Sequence, residues 1–389
     1  MKSLAKLSAE YLIDTYSQWP LTILRGKGSY VWDDAGKKYL DFYGGHAVAL
    51  LGHCPPRVVK AIQTQSSKLI FYSNLVITEP QVRLAEKLCK TLSPASYQAY
   101  FCNHGAEANE TALKIARKVT GKQNIIAFTD SFHGRSTAAL SATGIASYHN
   151  SHPNLLAYTK FAQLGDIASV EKVLDADTAA VIIEPIQSIG GMQQTSADFY
   201  QKLASLCKDK GVLLIFDEVQ TGVGRCGSWW FAQQVKVTPD LITTAKGLAG
   251  GLPIGAVLVE KATAGKIQTG DIATTFGGGA VVAAAALATL ETIAKEKLLQ
   301  HVKKERVAFD KAIIQLPGVV KTRGAGFLIG IEFEQPIVKE LIGKLRAVGI
   351  LSGNSTNPKV MRIFPPLTAS KAEFKFFLDK LKLILNSQK

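Results

Sequence analysis

The chain has 389 residues, 47% of them hydrophobic and 20% charged; this composition is typical of a globular protein and argues against long disorder, and the length allows one large α/β domain plus a smaller one. The formal net charge is +14 at pH 7. The basic residues are scattered, with nothing denser than pairs such as Lys303-Lys304, so a nucleic-acid-binding surface is disfavoured, and a solvated basic surface or a preference for anionic metabolites is expected.

Cysteine usage and the N-terminus predict a soluble, cytoplasmic protein that does not bind membranes. The five cysteines are widely spaced and form no C-x-x-C pair, so neither a metal site nor a disulfide framework is indicated. The N-terminal segment lacks an apolar signal core and carries Glu10 and Asp14, unlike a transit peptide. The longest apolar run, residues 277–290, is too short to span a bilayer.

Short apolar strands alternate with helical patterns along the chain. Before residue 44, VWDDAGKKYLDFYG predicts a hairpin with its turn at residues 34–36. Apolar runs then recur, each ahead of a turn and mostly a helical pattern: YQAYFC (97–102), NIIAF (124–128), AAVIIEP (179–185), GVLLIFDE (211–218), DLITTAK (240–246) and IGAVLV (254–259). This alternation predicts a mostly parallel sheet with helices on both faces. In such sheets ligands bind outside the carboxyl ends of the strands.

A domain division follows from the same pattern. Past about residue 290 a long helical stretch gives way to GAGFLIGIEF and a final helix. We expect an N-terminal segment, residues 1–43, that joins the small domain; a large ligand-binding domain, residues 44–290; and a C-terminal small α+β domain, residues 291–389. GAGFLIG (324–330) has the wrong glycine spacing for a dinucleotide-binding turn, and it predicts a hairpin instead.

Three strand-end positions could contact a ligand. The turn at residues 103–106 ends a strand and opens a helix, where free backbone N–H groups suit a phosphate; an ordinary capped turn would look the same. Phe132, which we place at the next strand end, could stack on a flat ring or lie in the core. Arg135 could bind a carboxylate through its planar fork, or be a surface arginine.

Two oppositely charged residues end the next buried strands. Asp217 follows five apolar residues, and a buried carboxylate without a cation is costly. No arginine is adjacent in sequence, so a protonated heterocycle would be a suitable partner. Lys246 lies among small residues, where confinement would lower its pKa and make it a nucleophile, although a lone lysine is usually solvated. A phosphate site, a stacking ring, an acid and a reactive lysine together are what pyridoxal 5'-phosphate requires.

The whole chain resembles the class III aminotransferases of the fold-type-I pyridoxal-phosphate group. The resemblance rests on FDEVQTGVGR followed by TTAKGLAGGLPIGAV. CNHGAEANETALKIAR, SFHGRS, IIEPIQ and TTFGG match, in order, the acetylornithine (or succinylornithine) aminotransferases of that class. The resemblance implies an α/β fold of the fold-type-I kind with a smaller α+β domain, and a homodimer with shared active sites.

The resemblance also implies residue roles. Lys246 would bond covalently to pyridoxal 5'-phosphate and move the proton during transfer, and Asp217 would pair with the ring nitrogen. The further cofactor-binding residues would be His104, Gly105, Ala106, Phe132, Val219, Gln220 and, reaching the neighbouring subunit's cofactor, Thr275. The substrate-binding residues would be Arg135, Thr274, Arg362, His46 and Glu184.

Three departures from the family pattern bear on these roles. His104 stands where the family usually has Ser or Thr, and an imidazole can still donate to phosphate. Ser188 and Ile189 stand where the family reads Gly-Glu, a glutamate that neutralises the C-terminal arginine, here Arg362. We hypothesise that Arg362 therefore permanently favours the α-carboxylate of glutamate or 2-oxoglutarate. His46 could read the substrate, including a larger acyl group such as succinyl, or be a structural histidine.

The resemblance implies transfer of the δ-amino group of an N-acylated ornithine to 2-oxoglutarate, in arginine biosynthesis. Free ornithine, 4-aminobutyrate and an aminomutase reaction are the alternatives within the same chemistry. A nicotinamide-dependent dehydrogenase and a basic binding protein without catalysis are the alternatives from other classes, and the spacing from FDEVQTG to Lys246 disfavours both.

Overall fold

The structure of the protein is a computed structural model, which describes residues 4–387 apart from residues 151, 153, 154 and 156. It contains fourteen strands among these residues. In chain order they are β1 (Ile23–Lys27), β2 (Tyr30–Asp33), β3 (Lys38–Asp41), β4 (Tyr97–Cys102), β5 (Asn124–Phe128), β6 (Thr159–Ala162), β7 (Thr178–Ile183), β8 (Leu213–Asp217), β9 (Leu241–Thr244), β10 (Gly255–Glu260), β11 (Val319–Ala325), β12 (Leu328–Phe333), β13 (Ile350–Leu351) and β14 (Val360–Ile363). Six of them lie where the apolar runs predicted strands, and four lie in the two predicted hairpins.

The helices separate these strands. They are α1 (Leu4–Tyr11), α2 (Gly44–Ala47), α3 (Pro56–Ser66), α4 (Glu79–Lys90), α5 (Gly105–Thr120), α6 (Thr137–Ser141), α7 (Ile167–Val173), α8 (Ala197–Lys210), α9 (Phe231–Val235), α10 (Lys261–Ala264), α11 (Ala280–Lys295), α12 (Leu298–Ile313), α13 (Val338–Ala347) and α14 (Lys371–Asn386). Single 3₁₀ turns occur at Ala146–Tyr148 and Lys246–Ala249. None of these described helices is long and apolar enough to cross a bilayer.

The central sheet has the strand order β4-β10-β9-β8-β7-β5-β6. β6, β5, β7, β8 and β9 are joined by parallel pairs, and β10 runs antiparallel to both β4 and β9. The prediction of a mostly parallel sheet is therefore confirmed, with β10 as its one reversed strand. Because the other six strands share one direction, their carboxyl ends meet at one edge of the sheet.

Both faces of this sheet are buried, since successive strand residues point to opposite sides. Ile182 and Ile215 pack in one apolar cluster that includes α5. Their neighbours Ile183 and Phe216 pack in a second cluster with α4, α8 and α11. This is why the strands read as continuous apolar runs rather than alternating ones.

Local signals set the helix that begins at the carboxyl end of β4. His104 has extended backbone and its ring accepts a hydrogen bond from the Glu107 N–H, which caps α5. Gly121 ends the helix in the left-handed conformation, with φ of 71°, as glycine does without a steric penalty. The first turn of α5 is thereby fixed at the edge of the sheet where a ligand would bind.

Two smaller sheets flank the central one. β1, β2, β3 and β13 form one, and β11, β12 and β14 form the other. The predicted hairpins are confirmed, since β2 pairs with β3 and β11 with β12, both antiparallel. β13 pairs in parallel with β3, so the N-terminal strands join a C-terminal one. The domain boundaries at residues 43/44 and 290/291 stay a prediction.

Candidate active site

A cavity of about 460 Å³ opens at the carboxyl edge of the central sheet. It brings together most of the residues predicted to hold the cofactor, together with two predicted to bind substrate. Those lining it are His104, Gly105, Ala106, Phe132, Arg135, Glu184, Asp217, Val219, Gln220 and Lys246. They come from the carboxyl end of β8 and from the segments that follow β4, β5, β7, β8 and β9, which is the arrangement expected of a ligand site in an open α/β sheet.

The turn after β4 forms a narrow anion cradle. The Nδ1 atom of His104 accepts from the Glu107 N–H at 3.1 Å, so this nitrogen carries no proton in the capped state and Nε2 is left as the donor. A Cβ atom on Gly105 would lie 2.9 Å from Val219 Cγ1, so only glycine fits there. The free N–H groups at the start of α5 complete a site suited to phosphate.

Asp217, the last residue of β8, is held by hydrogen bonds rather than by an adjacent arginine. Its Oδ2 accepts from Asn109 Nδ2 at 2.7 Å and lies 2.7 Å from His133 Nδ1. Thr243 on β9 donates to Asn109 Oδ1 at 2.7 Å, which fixes that amide. Among the residues that the structure describes, Oδ1 accepts only the Val219 N–H, at 3.1 Å, so this oxygen keeps capacity for a ligand.

Asn109, His133 and Thr243 were missed by the sequence reasoning. His133 lies beside Phe132 in SFHGRS, and Asn109 lies one helical turn beyond Gly105 on α5. Their meeting at Asp217 depends on the order of β5, β8 and β9 in the sheet, which no local pattern specifies. The one available signal was that a buried acid must find hydrogen-bond donors.

Glu218 follows Asp217 but has a different environment. It accepts from the Phe231 and Ala232 N–H groups at 2.7 and 2.9 Å and from Thr221 Oγ1 at 3.0 Å. It therefore satisfies the start of α9 and does not line the cavity. Burial raises its pKa to about 7.

Lys246 begins the 3₁₀ turn after β9 with a φ of 47°. A left-handed backbone at a residue other than glycine is strained and is common at functional sites. Desolvation by burial lowers the pKa of the amine to about 8, against the opposing charges of Asp217 and Glu184. At neutral pH a lysine of this pKa has a far larger neutral fraction than an ordinary lysine, and the neutral amine is the nucleophile.

Glu184 lies just after β7 and close to the charges of Asp217 and Lys246. Its Oε2 accepts the backbone N–H of Phe132 at 2.7 Å. Burial, and then the charge of Asp217, raises the pKa of Glu184 above its ordinary value. Phe132 itself is four residues past the end of β5, so its predicted position at the strand end was wrong, but Glu184 fixes its backbone at the cavity.

Gln220 supports the fit of pyridoxal 5'-phosphate to these residues. Its Oε1 is buried and has no hydrogen-bond partner, and the residue lines the cavity. A hydroxyl on a bound ring would satisfy it. With the phosphate cradle, the remaining acceptor capacity of Asp217 Oδ1 and the amine of Lys246, the residues present match the donors and acceptors of this cofactor.

Arg135 is exposed at the edge of the cavity. Its guanidinium lies 4.2 Å from the ring centre of Tyr148, which in turn packs edge-on against Phe132 at 5.6 Å. The stacking orients the guanidinium without using its N–H donors. Arg135 is therefore free to bind a carboxylate.

Arg362 lies on β14 and is 6% exposed. Its Nη1 donates to Ser188 Oγ at 3.1 Å, and its Nε donates to the Asn354 carbonyl. Both acceptors are neutral, and no acid forms an ion pair with Arg362 within the described residues. Ser188, which precedes the position of the expected glutamate, thus binds the guanidinium without cancelling its charge. Arg362 does not line the cavity of 460 Å³.

His46 is carried by a left-handed turn, defined here as Gly44–Ala47 and labelled α2 above. The φ angles are 57°, 56°, 64° and 68° along the turn. Asp41 fixes its start, accepting the Tyr43 and Gly44 N–H groups at 3.0 and 2.8 Å. The His46 ring lies 4.9 Å from the ring of Tyr43.

His46 does not line the cavity, but the charges of Arg362 and Lys246 act on its imidazole. Desolvation, and then the charges of Arg362 and Lys246, lower the pKa of His46 below its usual 6.5. This environment favours the neutral imidazole, which can both donate and accept a hydrogen bond.

Thr274 and Thr275 also lie outside the cavity lining. Thr274 Oγ1 accepts from Asn103 Nδ2 at 3.2 Å, beside the phosphate cradle of its own chain. Thr275 is exposed, and the adjoining Phe276 is 63% exposed. A role for Thr275 toward a second subunit stays a prediction.

Comparisons with known proteins agree with this geometry. The sequence profile of "Aminotransferase class-III" matches residues 12–385. The acetylornithine aminotransferase of Methanosarcina mazei is 40% identical, covering 96% of this chain and 94% of that protein. The enzyme of the same name from Listeria innocua is 41% identical, covering 97% and 98%.

Solved structures give the same result for the fold. The ornithine aminotransferase from Toxoplasma gondii has a TM-score of 0.93 at 28% identity, covering 100% of this chain and 97% of that one. The acetylornithine aminotransferase from Elizabethkingia anophelis has a TM-score of 0.86 at 28% identity, covering 98% of both chains. The chain belongs to the aminotransferase class-III family and is a pyridoxal-phosphate-dependent transaminase of fold type I.

Proposed function

We propose that this enzyme transfers the δ-amino group of an N-acylated ornithine, either N-acetylornithine or N-succinylornithine, to 2-oxoglutarate in arginine biosynthesis. The observation that carries the proposal is identity of about 40% over nearly the whole chain to proteins named acetylornithine aminotransferase. The residues of the cavity support it, since they supply a phosphate cradle, a ring-nitrogen acid and a reactive lysine on one edge of the sheet.

Pyridoxal 5'-phosphate would be held at its phosphate, its ring nitrogen, its two ring faces and its ring hydroxyl. The cradle at Gly105 and Ala106 would bind the phosphate, with His104 donating through Nε2. Asp217 would accept the ring N–H through Oδ1, while Asn109 and His133 keep its other oxygen in place. Phe132 and Val219 would pack on the two ring faces, and Gln220 would accept from the ring hydroxyl.

The bound cofactor supplies a protonated ring that stabilises negative charge on the substrate carbon. Asp217 would keep the ring nitrogen protonated, because its charge is close and shielded from solvent. Lys246 would move the proton at the reacting carbon, and a pKa of about 8 suits an amine that must both accept and release it near neutral pH. Glu184, with its raised pKa, would limit the negative charge beside Asp217.

Two arginines would divide the substrate carboxylates between them. Arg135 would bind the α-carboxylate of the acylated ornithine, which is distant from the δ-amine that reacts. Arg362, with only neutral partners, would bind the α-carboxylate of glutamate or 2-oxoglutarate. The carboxylate would replace the weak interaction with Ser188 by a charge-assisted pair.

We also propose a cytoplasmic homodimer with shared active sites. Exposed apolar side chains lie in residues 70–75 and beside Thr275, among them Ile70, Phe71, Leu75 and Phe276, at 69%, 40%, 93% and 63% exposure. Phe71 and Phe276 pack against each other at 5.1 Å. A second copy that covers this surface would bring Thr275 close to its neighbour's phosphate cradle.

The visible absorbance of the cofactor-loaded protein tests the proposed reaction. N-acetylornithine, N-succinylornithine, ornithine and 4-aminobutyrate are added separately, and glutamate formation from 2-oxoglutarate is measured in parallel. Rapid bleaching by an acylated ornithine supports the proposal and identifies the acyl group. Bleaching by free ornithine or 4-aminobutyrate alone would contradict it, while leaving the roles of Lys246 and Asp217 in place.

A further inference from the structure

Arg225 is a buried arginine without an acidic partner. Its side chain is 1% exposed, and no Asp or Glu forms an ion pair with it within the described residues. A buried charge of this kind is costly unless hydrogen bonds compensate for it. The residue ends FDEVQTGVGR, eight positions after Asp217, but the proposed reaction gives it no role.

Three carbonyl groups from distant segments surround the Arg225 guanidinium. Nη1 donates to the Pro365 carbonyl and, at 3.3 Å, to the Phe327 carbonyl. Nη2 lies 3.5 Å from the Ala47 carbonyl. The Phe327 N–H also donates to the Arg225 carbonyl at 2.9 Å.

Two of these three segments carry substrate-binding candidates. Ala47 is the last residue of the left-handed turn that holds His46, and Pro365 follows Arg362 by three residues. The third segment, at Phe327, connects β11 to β12, and β12 pairs with β14. The planar guanidinium of Arg225 therefore connects the loop after Asp217 to the left-handed turn at Ala47 and to the segment after β14 at Pro365.

We infer that Arg225 is a positioning residue, which sets the distance between the cofactor-binding loop and the two substrate-binding elements that carry His46 and Arg362. The inference rests on the proposed function only in that Arg362 binds a dicarboxylate. A planar fork can satisfy three carbonyl groups at fixed angles, whereas the point charge of lysine cannot. Loss of the fork should therefore displace Arg362 more than it destabilises the fold.

The experiment uses the cofactor-loaded Arg225→Lys variant, with Arg225→Met as a second variant because an apolar side chain of similar size can replace a buried ion without unfolding the protein. Arg306→Lys is the matched control. Arg306 donates to the Gly326 carbonyl at 2.9 Å, so it anchors the same β11–β12 connection without contacting the left-handed turn or the segment after β14.

The dissociation constant of glutarate, a dicarboxylate without a reacting group, is measured from the cofactor's absorbance and needs no donor. We expect it to rise about ten-fold in the Arg225 variants, as for a small displacement of a positioned group. Cofactor affinity should stay unchanged, and the melting temperature should fall no further than in Arg306→Lys. The control should bind glutarate as the wild type does.

Unchanged glutarate binding in a folded Arg225 variant would overturn the inference, as would a parallel loss of cofactor affinity. Failure of both Arg225 variants to fold while Arg306→Lys folds would also overturn it, because the arginine would then be a requirement of the fold. Failure of the proposed donor reaction in the wild type is a separate result, since glutarate binding is read without any donor.

Discussion

The two ends of the active site are built differently. The cofactor end takes its residues from loops at the carboxyl edge of one sheet, and they line one cavity. The proposed substrate end takes His46 from a left-handed turn after β3, Ser188 from the loop after β7 and Arg362 from β14 of another sheet. Arg135 alone among the arginines lines the cavity.

Because the two ends are built differently, we expect the cofactor end to determine the reaction and the proposed substrate end to determine substrate preference. Residues on one rigid sheet hold their mutual geometry through the core beneath them, whereas residues from three segments depend on how those segments pack. Substitutions at the cofactor end should therefore reduce the rate with every substrate. Substitutions at the substrate end should change which substrate is preferred.

Lys246→Ala should have the largest effect at the cofactor end. Loss of the amine removes both the covalent attachment and the proton carrier, so kcat should fall by about 10⁴-fold or more. Turnover of N-acetylornithine with 2-oxoglutarate measures it. Cofactor should still bind, since the cradle and Asp217 are intact. Retention of more than a tenth of the activity would assign the proton transfer to another residue.

The neighbouring acids Asp217 and Glu218 allow a comparison of two substitutions that each replace a carboxylate by an amide. Asp217→Asn should lower kcat about 10²- to 10³-fold, because a neutral amide does not stabilise a protonated ring nitrogen. Glu218→Gln should instead cost about 1–3 kcal/mol of stability, because one backbone N–H loses its acceptor. Activity assays and thermal melts of both variants separate the two roles, and the opposite pattern would show that they are exchanged.

The pKa of Lys246 predicts a pH dependence at the cofactor end. Only the neutral amine reacts, and burial lowers its pKa to about 8. The rate at which cofactor-free protein captures pyridoxal 5'-phosphate should therefore rise about ten-fold between pH 7 and pH 9 and then level off. Stopped-flow absorbance measures this. A rate that still rises steeply above pH 10 would mean that the amine has its ordinary pKa.

At the substrate end, Ile189→Glu should introduce the acid that Arg362 lacks. Pairing with Arg362 would compete with an incoming carboxylate, so the KM for 2-oxoglutarate should rise about five-fold with little change in kcat. Ile189→Gln, of similar size but neutral, is the control. An unchanged KM in Ile189→Glu would show that residue 189 does not reach Arg362.

His46→Ala should have the smallest effect, and it should be confined to specificity. The neutral imidazole beside Arg362 and Lys246 can hydrogen-bond to a substrate, so its loss should change the ratio of kcat/KM between N-acetylornithine and N-succinylornithine by about three- to ten-fold. Competition assays with both donors measure the ratio. An unaltered preference would make His46 a structural residue of the left-handed turn.

The sequence predicted the cofactor end better than the substrate end for a physical reason. Buried strands read as apolar runs, and polar residues that end such runs must meet at one edge, so Asp217 and Lys246 could be placed together without a structure. Phe132 was placed too close to its strand because four residues of loop carry no pattern. The strand order, and with it the contact of His133 and Asn109 with Asp217, depends on long-range packing.

The substrate end was accessible only through resemblance. His46 and Arg362 are more than 300 positions apart in the chain, and no periodicity connects them. The replacement of Gly-Glu by Ser188-Ile189 was visible in sequence. That Arg362 would donate to Ser188 Oγ instead follows from the packing of two sheets, which a one-dimensional pattern does not contain.

The reversed strand β10 separates the two strands that lead to the phosphate cradle and to Lys246. It lies between β4, which ends at the cradle, and β9, which ends before Lys246, and Gly255 faces Cys102 while Ala256 faces Thr244. Neighbouring strands are about 4.8 Å apart, so the two strand ends are separated by about 10 Å. A Cβ on Gly255 would lie 2.6 Å from the His104 carbonyl oxygen, so β10 passes the cradle at this point only with a glycine. A ligand that contacts both the cradle and the segment at Lys246 must therefore extend across the end of β10.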